Sequence, residues 1–288
     1  MLPRLRGETN RRRDQVAARP PRLPRLRVLC YHAITDTAGD ATTDAYCVPP
    51  RLLRAHLDVL QRSGYHFVGA DQFLQFLDGR HPLPRRPVLL TFDDCYRDLA
   101  ESALPLLQAR GIPAVAFAVS GYLGATNRWD ETIGARTMPL LDVAGLRELT
   151  RNGIEIGAHS HSHPRLTTLS DPELRVETAG AVEQLRRAGL GPVRLFAYPY
   201  GNYDMRVRHA TRDAGVRAAF GTSTGTVAAT DDPFALHRIQ VRRADVGWRF
   251  QLKVALAEPL GGMADLATRT RARAQIRTRL RRLQARWR

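Results

Sequence analysis

The chain has 288 residues, 43% of them hydrophobic and 25% charged, with a formal net charge of +16. Such a length and composition are ordinary for a soluble globular protein with one catalytic-sized domain and tails. The positive charge lies at the ends, with +7 on residues 1–27 and +8 on residues 262–288, which leaves about +1 for residues 28–261. The body of the protein therefore needs no polyanionic partner, and we expect no nucleic acid to bind it.

The two ends differ in sequence character. Residues 1–27 are rich in Arg and Pro and predict a disordered arm, which could be merely a solvated tail. Residues 262–288 predict a weakly amphipathic, Arg-rich helix that could rest on anionic lipid or contact nucleic acid. Neither a signal peptide nor a run of the roughly 20 apolar residues that cross a membrane can be recognised. Three cysteines without paired metal spacing fit a reducing compartment. We therefore expect a cytoplasmic protein, peripheral at the inner face of the membrane, and the pattern indicates no particular oligomeric state.

Residues 28–261 alternate between short apolar runs and segments with the period of a helix. In chain order the predicted strands are RVLCYHAI, YHFV, PVLLTF, PAVAFAV, IEIGAH, RLFAYP, RAAFGT and ALHRIQV. The helices predicted between and after them are PPRLLRAHLDVLQRSG, DQFLQFLDG, RDLAESALPLLQARG, VAGLRELTRNG, PELRVETAGAVEQLRRAG, and two near residues 205–213 and 248–256. Strands that alternate with helices predict a parallel sheet covered by helices, and about seven such units favour a deformed (β/α) barrel over an open sheet.

Three polar clusters follow predicted strands, which is where such folds place their chemistry. They are TFDD after PVLL, HSHSHP after IEIGA, and AYPYG after RLF. His159 and His163 are four residues apart and can place two imidazoles on one cation. Together with a carboxylate they would form a set of two histidines and one acid, which holds a divalent metal and leaves positions open for water and substrate.

Two adjacent acids, Asp93 and Asp94, end the buried run PVLLTF. Burying both without partners would be costly, but a cation removes most of that cost for one of them. Successive side chains face different ways, so one carboxylate can bind the metal while the other acts as a base. The alternative interpretation is that Asp94 caps the following helix and Asp93 is a turn residue.

The three clusters resemble the motifs of the NodB-homology polysaccharide deacetylases, carbohydrate esterase family 4. That family has T-F-D-D-G, H-S/T-x-x-H-P and R-x-F-R/A-x-P-Y-G in this order. The chain has TFDDC at 91–95, HSHSHP at 159–164 and RLFAYPYG at 194–201, and the similarity extends over residues 28–260. The resemblance implies a (β/α) barrel related to the NodB fold.

The resemblance also implies a reaction and a role for each matching residue. A divalent metal, zinc or else cobalt or nickel, would be held by Asp94, His159 and His163, and Asp93 would be the general base. The backbone N–H of Tyr200 would stabilise the oxyanion. The implied activity is the removal of N-acetyl groups from an N-acetylated poly- or oligosaccharide, with release of acetate.

The chain departs from the family pattern at several positions. Cys95 replaces the expected glycine: a cysteine is strained there if the position requires positive φ and is tolerated if it need only be small, and we expect the second. Ala197 stands where many members carry an arginine that braces the base, so another group must orient Asp93. His237 is a candidate for the acid that protonates the leaving amine, with a core or rim histidine as the alternative. Tyr31 and His32, at the end of the first strand, are both expected to line the same mouth.

Two rival functions remain open, and a nucleic-acid-binding role for the two Arg-rich tails is a third hypothesis that is compatible with either of them. The same metal site could act on a non-sugar amide or a cyclic imide. Alternatively, the changes at Cys95 and Ala197 could mark a catalytically inactive module that binds glycans or serves as a scaffold.

Overall fold

The structure, a computed structural model, describes residues 25–37 and 43–257. Its strands are β1 (Arg27–Tyr31), β2 (His66–Phe67), β3 (Pro87–Phe92), β4 (Ala114–Ala118), β5 (Ile154–Ala158), β6 (Leu195–Ala197), β7 (Ala218–Phe220) and β8 (Ile239–Gln240). Its α-helices are α1 (Pro50–Arg62), α2 (Ala70–Leu77), α3 (Leu104–Gln108), α4 (Val143–Arg151), α5 (Asp171–Arg175), α6 (Ala181–Arg187), α7 (Met205–Asp213) and α8 (Trp248–Ala255).

Seven of these strands form one parallel sheet in the order β7-β6-β5-β4-β3-β1-β8, and β2 pairs with the start of β3. The ends of this sheet meet through one short segment. Leu236 forms a parallel bridge to Phe220, and three residues later Ile239 pairs with Leu29. The sheet is therefore curled into a deformed barrel, and the predicted α/β architecture is confirmed.

The apolar runs make the barrel wall because both of their faces are covered. All six residues of β3 and all five of β4 are buried, as expected for a parallel sheet enclosed by helices. Helix α1 shows the complementary pattern, since Leu53, Leu57 and Leu60 lie on one buried face.

Two predicted helices contain a wider turn that periodicity does not reveal. A π-helical turn at Leu99–Ala103 precedes α3, and another at Val176–Gly180 lies between α5 and α6. Each such turn inserts one residue and shifts the direction of the following side chains. The second of these turns lies beside the candidate site.

The barrel begins earlier than the sequence pattern suggests. Arg25 donates to Thr226, and Leu26 is fully buried and forms a bridge to Val227. These residues belong to the barrel although the predicted arm, 1–27, includes them. The rest of that arm and the predicted helix 262–288 lie outside the described residues. Within the described ranges, no helix combines the length and the hydrophobicity that crossing a bilayer requires.

Candidate active site

The polar clusters meet at the carboxyl edge of the barrel. Asp93 and Asp94 follow β3, while His159 and His163 follow β5. Tyr200 lies in the turn Pro199–Gly201 after β6, which pairs with β5. Because the strands are parallel, their carboxyl ends lie on the same side of the sheet, and residues far apart in the sequence become neighbours.

The predicted metal ligands converge. Asp94 Oδ1 lies 3.5 Å from His159 Nε2 and 3.6 Å from His163 Nε2. All three side chains are buried, and their candidate ligand atoms lie within 4.8 Å of one another. Asp94 Oδ1 finds no hydrogen-bond partner among the described residues. A buried carboxylate oxygen without a partner is costly, and a cation bound by these atoms would remove that cost.

The surroundings of both imidazoles favour the binding of a cation. His159 Nδ1 lies 2.7 Å from the carbonyl oxygen of Ala197, to which it must donate, so the lone pair of Nε2 faces Asp94. Burial lowers the pKa of His159 and lowers that of His163 further below its usual value. The neutral form is therefore favoured, and this is the form that binds metals. His161 points elsewhere, with Nδ1 3.1 Å from both Ser120 Oγ and Gln184 Oε1.

Arg238 orients Asp93, in place of the arginine that many family members carry at the position of Ala197. Its Nη1 and Nη2 donate to Asp93 Oδ1 and Oδ2 at 2.6 and 2.7 Å, and its Nε donates to the carbonyl oxygen of Gly221 at 3.0 Å. Arg238 is fully buried. Burial alone would raise the pKa of Asp93, but the guanidinium of Arg238 holds it well below its usual value. Asp93 is thus an ionised carboxylate fixed in both position and plane.

Arg238 is not among the residues predicted from the sequence, although the sequence contains a signal for it. In the predicted strand ALHRIQV an arginine interrupts an apolar run, and a fully buried arginine needs an anionic partner. That partner is 145 positions away in the chain, so only the fold identifies it.

The structure brings His32 to the base and turns His237 away from it. Candidate ligand atoms of Cys30, His32 and Asp93 lie within 4.8 Å of one another, and His32 Nδ1 is buried without a hydrogen bond to any described residue. Side chains alternate along an extended chain, so Arg238 faces Asp93 while the neighbouring His237 packs against Gly225. The role of His237 as the acid stays a prediction, and it is the neighbouring Arg238 that contacts Asp93.

Cys30, His32 and Asp93 do not make a second metal site. Both oxygens of Asp93 already accept hydrogen bonds from Arg238, whose positive charge would repel a cation. Cys30 Sγ lies 3.4 Å from Asp93 Oδ2, and burial raises the pKa of this thiol well above its usual value. Cys30 is therefore a neutral thiol directed at the base.

The backbone around the site is strained. Of the seven described residues other than glycine that have positive φ, five are predicted metal ligands or lie close to them: Asp94, Cys95, Ser160, His163 and Tyr200. Cys95 has φ +55°, so the family glycine marks a left-handed conformation. The expectation that a small residue suffices there is corrected, because the backbone is strained for a cysteine. Such conformations persist only where the surroundings fix them, and they concentrate at functional sites.

Aromatic rings line the mouth. The ring of His163 lies between those of Trp129 and Tyr200, at centroid distances of 4.7 Å to each. Tyr200 is 41% exposed, and the guanidinium of Arg165 lies 4.8 Å from its ring centroid. On the opposite side, Tyr46 packs against His32.

The family model "Polysaccharide deacetylase" matches residues 80–219. The Bacillus subtilis (strain 168) protein YxkH is 25% identical over 223 residues, which are 77% of this chain and 72% of that protein. The poly-beta-1,6-N-acetyl-D-glucosamine N-deacetylase of Staphylococcus aureus (strain MRSA252) is 22% identical over 205 residues, 68% of each chain.

Solved structures show the same fold. The chain is similar to the Streptococcus pyogenes deacetylase PplD in complex with acetate, with 22% identity, a TM-score of 0.69, and coverage of 82% of this chain and 99% of that one. It is also similar to IcaB from Ammonifex degensii, with 23% identity, a TM-score of 0.68, and coverage of 82% and 98%. At these identities the likeness concerns the architecture.

Proposed function

Because the chain belongs to the polysaccharide deacetylase family, we propose that it is a metal-dependent hydrolase that removes N-acetyl groups from the sugars of a poly- or oligosaccharide and releases acetate. The observation that carries this proposal is the convergence of Asp94, His159 and His163 beside a second carboxylate held by Arg238. Polymers of N-acetylglucosamine are the first substrates to test, because the Staphylococcus aureus relative is named for one.

The proposed metal ligands are Asp94, His159 and His163. Two imidazole nitrogens and one carboxylate oxygen suit zinc best, with cobalt or nickel as alternatives. The unpartnered Oδ1 of Asp94 supports a cation at this point. When bound, such an ion polarises the amide carbonyl as a Lewis acid and lowers the pKa of water toward ~7.

Asp93 is the proposed general base. It accepts a proton from the attacking water while the water oxygen bonds to the carbonyl carbon of the N-acetyl group. Arg238 keeps the carboxylate ionised and fixes its plane through two hydrogen bonds. We assign the backbone N–H of Tyr200 to the negative charge that develops on the carbonyl oxygen, because the chain turns back beside His163 at this residue.

We assign delivery of a proton to the leaving nitrogen to His32 rather than His237. Burial lowers the pKa of His32 to about 4, so its ring is neutral at pH 7 and cannot be the first proton donor. A nitrogen of this ring lies within 4.8 Å of an oxygen of Asp93, which has just taken a proton from water. His32 can accept that proton and pass it to the nitrogen as the carbon–nitrogen bond breaks, leaving acetate and a free amine.

The experiment that tests the function compares substrate classes. We expect the zinc-loaded protein to release acetate from N-acetylglucosamine oligomers and to leave small amides and a cyclic imide intact. His159→Ala should abolish release, whereas His161→Ala, a matched change in the same loop, should retain it. Hydrolysis of the imide alone would favour the rival amide substrate. Glycan binding without turnover, unaffected by Asp93→Asn, would favour an inactive module.

We further propose that the Arg-rich segments contact an anionic membrane surface. Arg27, the first residue of β1, donates to the carbonyl oxygen of Val254 in α8 at 2.7 Å. The described residues next to these segments, Arg27 and Val254, therefore lie at the amino end of the barrel, opposite the candidate site, and the segments hold most of the net charge. The protein should cosediment with phosphatidylglycerol vesicles at low salt but not with phosphatidylcholine vesicles. An intact protein that ignores the anionic vesicles would contradict this proposal.

A further inference from the structure

The loop between the two metal-binding histidines is held by one buried carboxylate. Glu177 Oε2 accepts hydrogen bonds from the backbone N–H groups of His161 and Ser162, at 2.9 and 2.8 Å. Its Oε1 accepts a third bond, from Ser162 Oγ, at 2.5 Å. Glu177 is only 7% exposed, and no basic side chain among the described residues forms an ion pair with it. Its acceptors are instead occupied by the loop.

The position of Glu177 depends on an irregular helix. It lies in the π-helical turn Val176–Gly180 between α5 and α6, where one extra residue changes the direction of the side chains. A buried carboxylate is costly unless its oxygens are satisfied, and hydrogen bonds from backbone N–H groups to a carboxylate are among the stronger kinds. The three bonds therefore tie the loop firmly to the helix.

The loop needs such a tie because its backbone is strained. Ser160 and His163 both have positive φ, at +65° and +62°, and the N–H of His163 donates to Ser160 Oγ at 2.9 Å. These conformations would relax without outside restraint. They also set the direction of His163, whose Nε2 lies 3.6 Å from Asp94 Oδ1.

We propose that Glu177 is a positioning residue of the metal site: by holding His161 and Ser162 through their backbone, it fixes the turn that presents His163 to the metal. This inference rests on the proposed metal site at Asp94, His159 and His163. It assigns Glu177 a role in metal affinity although Glu177 does not touch the metal.

The mechanism predicts that geometry matters more than charge. Glu177→Ala removes all three bonds, and Glu177→Asp keeps the charge but is one methylene shorter. Glu177→Gln is neutral, yet its one oxygen can accept from both backbone N–H groups while its amide donates to Ser162 Oγ. We expect the Ala and Asp variants to bind zinc about 10–100-fold more weakly, the usual effect of removing a group that orients a ligand, and the Gln variant to stay near wild type.

The test measures zinc affinity of the metal-stripped full-length protein by competition with a chelator, and the absorption spectrum of the cobalt-loaded form. Glu183→Gln, an exposed glutamate of α6, is the matched control and should change neither. Melting temperatures of the metal-free variants separate a general loss of stability from a loss of affinity. The Ala and Asp substitutions should also have no further effect in a His163→Ala background, because they act through that ligand.

Wild-type zinc affinity and cobalt spectrum in both the Ala and Asp variants would overturn the proposal. So would a Gln variant as weak as the Ala variant, since charge would then be decisive, or an undiminished effect in the His163→Ala background. Failure of the wild-type protein to bind metal would refute the metal site itself. That result would overturn this inference too. It can be told apart from a failure of the Glu177 proposal alone, because no variant would then differ from wild type in zinc binding.

Discussion

Replacing Arg238 should separate the orientation of the base from its charge. In the wild-type protein this fully buried guanidinium donates two parallel hydrogen bonds to Asp93 and one to the carbonyl oxygen of Gly221. Arg238→Met leaves a buried carboxylate without a counter-charge, which typically costs about 3–5 kcal/mol of unfolding free energy. Arg238→Lys retains the positive charge but can replace only one of the two bonds to Asp93, so we expect a loss of about 2 kcal/mol.

Activity should respond more sharply than stability. A base displaced by about 1 Å can slow an enzyme by about 100-fold, so Arg238→Lys should lower kcat by about that factor. The matched control is Arg194→Lys. Arg194 forms the same kind of fork with Glu155, but at the start of β6, at the opposite end of the barrel from the site. It is partly exposed, so its replacement should cost about 1 kcal/mol or less and leave kcat unchanged.

The assays are urea unfolding at pH 7 and acetate release from N-acetylglucosamine oligomers. In a double-mutant cycle, adding Asp93→Asn to Arg238→Met should recover part of the lost stability, because no unpaired charge then remains buried. An Arg238→Lys protein with wild-type kcat would refute the argument that the two-pronged contact orients the base. Additive losses in the cycle would refute the pairing itself.

Three further outcomes follow from the buried polar groups. Burial lowers the pKa of His56 to about 4, so between about pH 6.5 and 4 the unfolded chain binds a proton at His56 that the folded protein does not bind. About 3 kcal/mol of stability that is present above pH 6.5 should therefore be lost as the pH falls through that window. In urea unfolding, the stability of His56→Gln should lack this part of the pH dependence. Asp94→Asn should abolish zinc binding but stabilise the metal-free protein by about 1 kcal/mol, because it replaces a buried carboxyl group whose Oδ1 has no hydrogen-bond partner among the described residues; unchanged urea midpoints in chelator would contradict this. His32→Ala should lower kcat by about 100-fold or more, whereas His237→Ala should not, and the reverse order would restore His237 as the acid.

Much of the barrel could be predicted because its signals are local. Runs such as PVLLTF are continuous and apolar, and helix α1 has its leucines at helical spacing. Both kinds of element can therefore be predicted from the local sequence, without knowledge of the elements that pack against them. The strand ends then indicated where Asp94, His159 and His163 would meet. Their convergence in the structure follows from parallel pairing of β3, β4 and β5.

Other parts of the site depend on which way a strand or helix is turned. His237 and Arg238 are adjacent in sequence, and only the pairing of the segment with both ends of the sheet decides which of them faces Asp93. Glu177 falls in a segment that looks like an ordinary amphipathic helix, and the π-helical turn that brings it to the loop leaves no periodic signal. Cys95 gave no sign of its left-handed backbone beyond the glycine that other family members carry.

The most direct test of the proposed chemistry is a zinc titration of the metal-stripped protein, followed by acetate release from N-acetylglucosamine oligomers. We predict no release without metal, a linear rise in activity that ends at one zinc per chain, and neither binding nor release in Asp94→Asn. Full activity in the metal-free protein, or one tightly bound zinc with no acetate released from any oligomer, would contradict it.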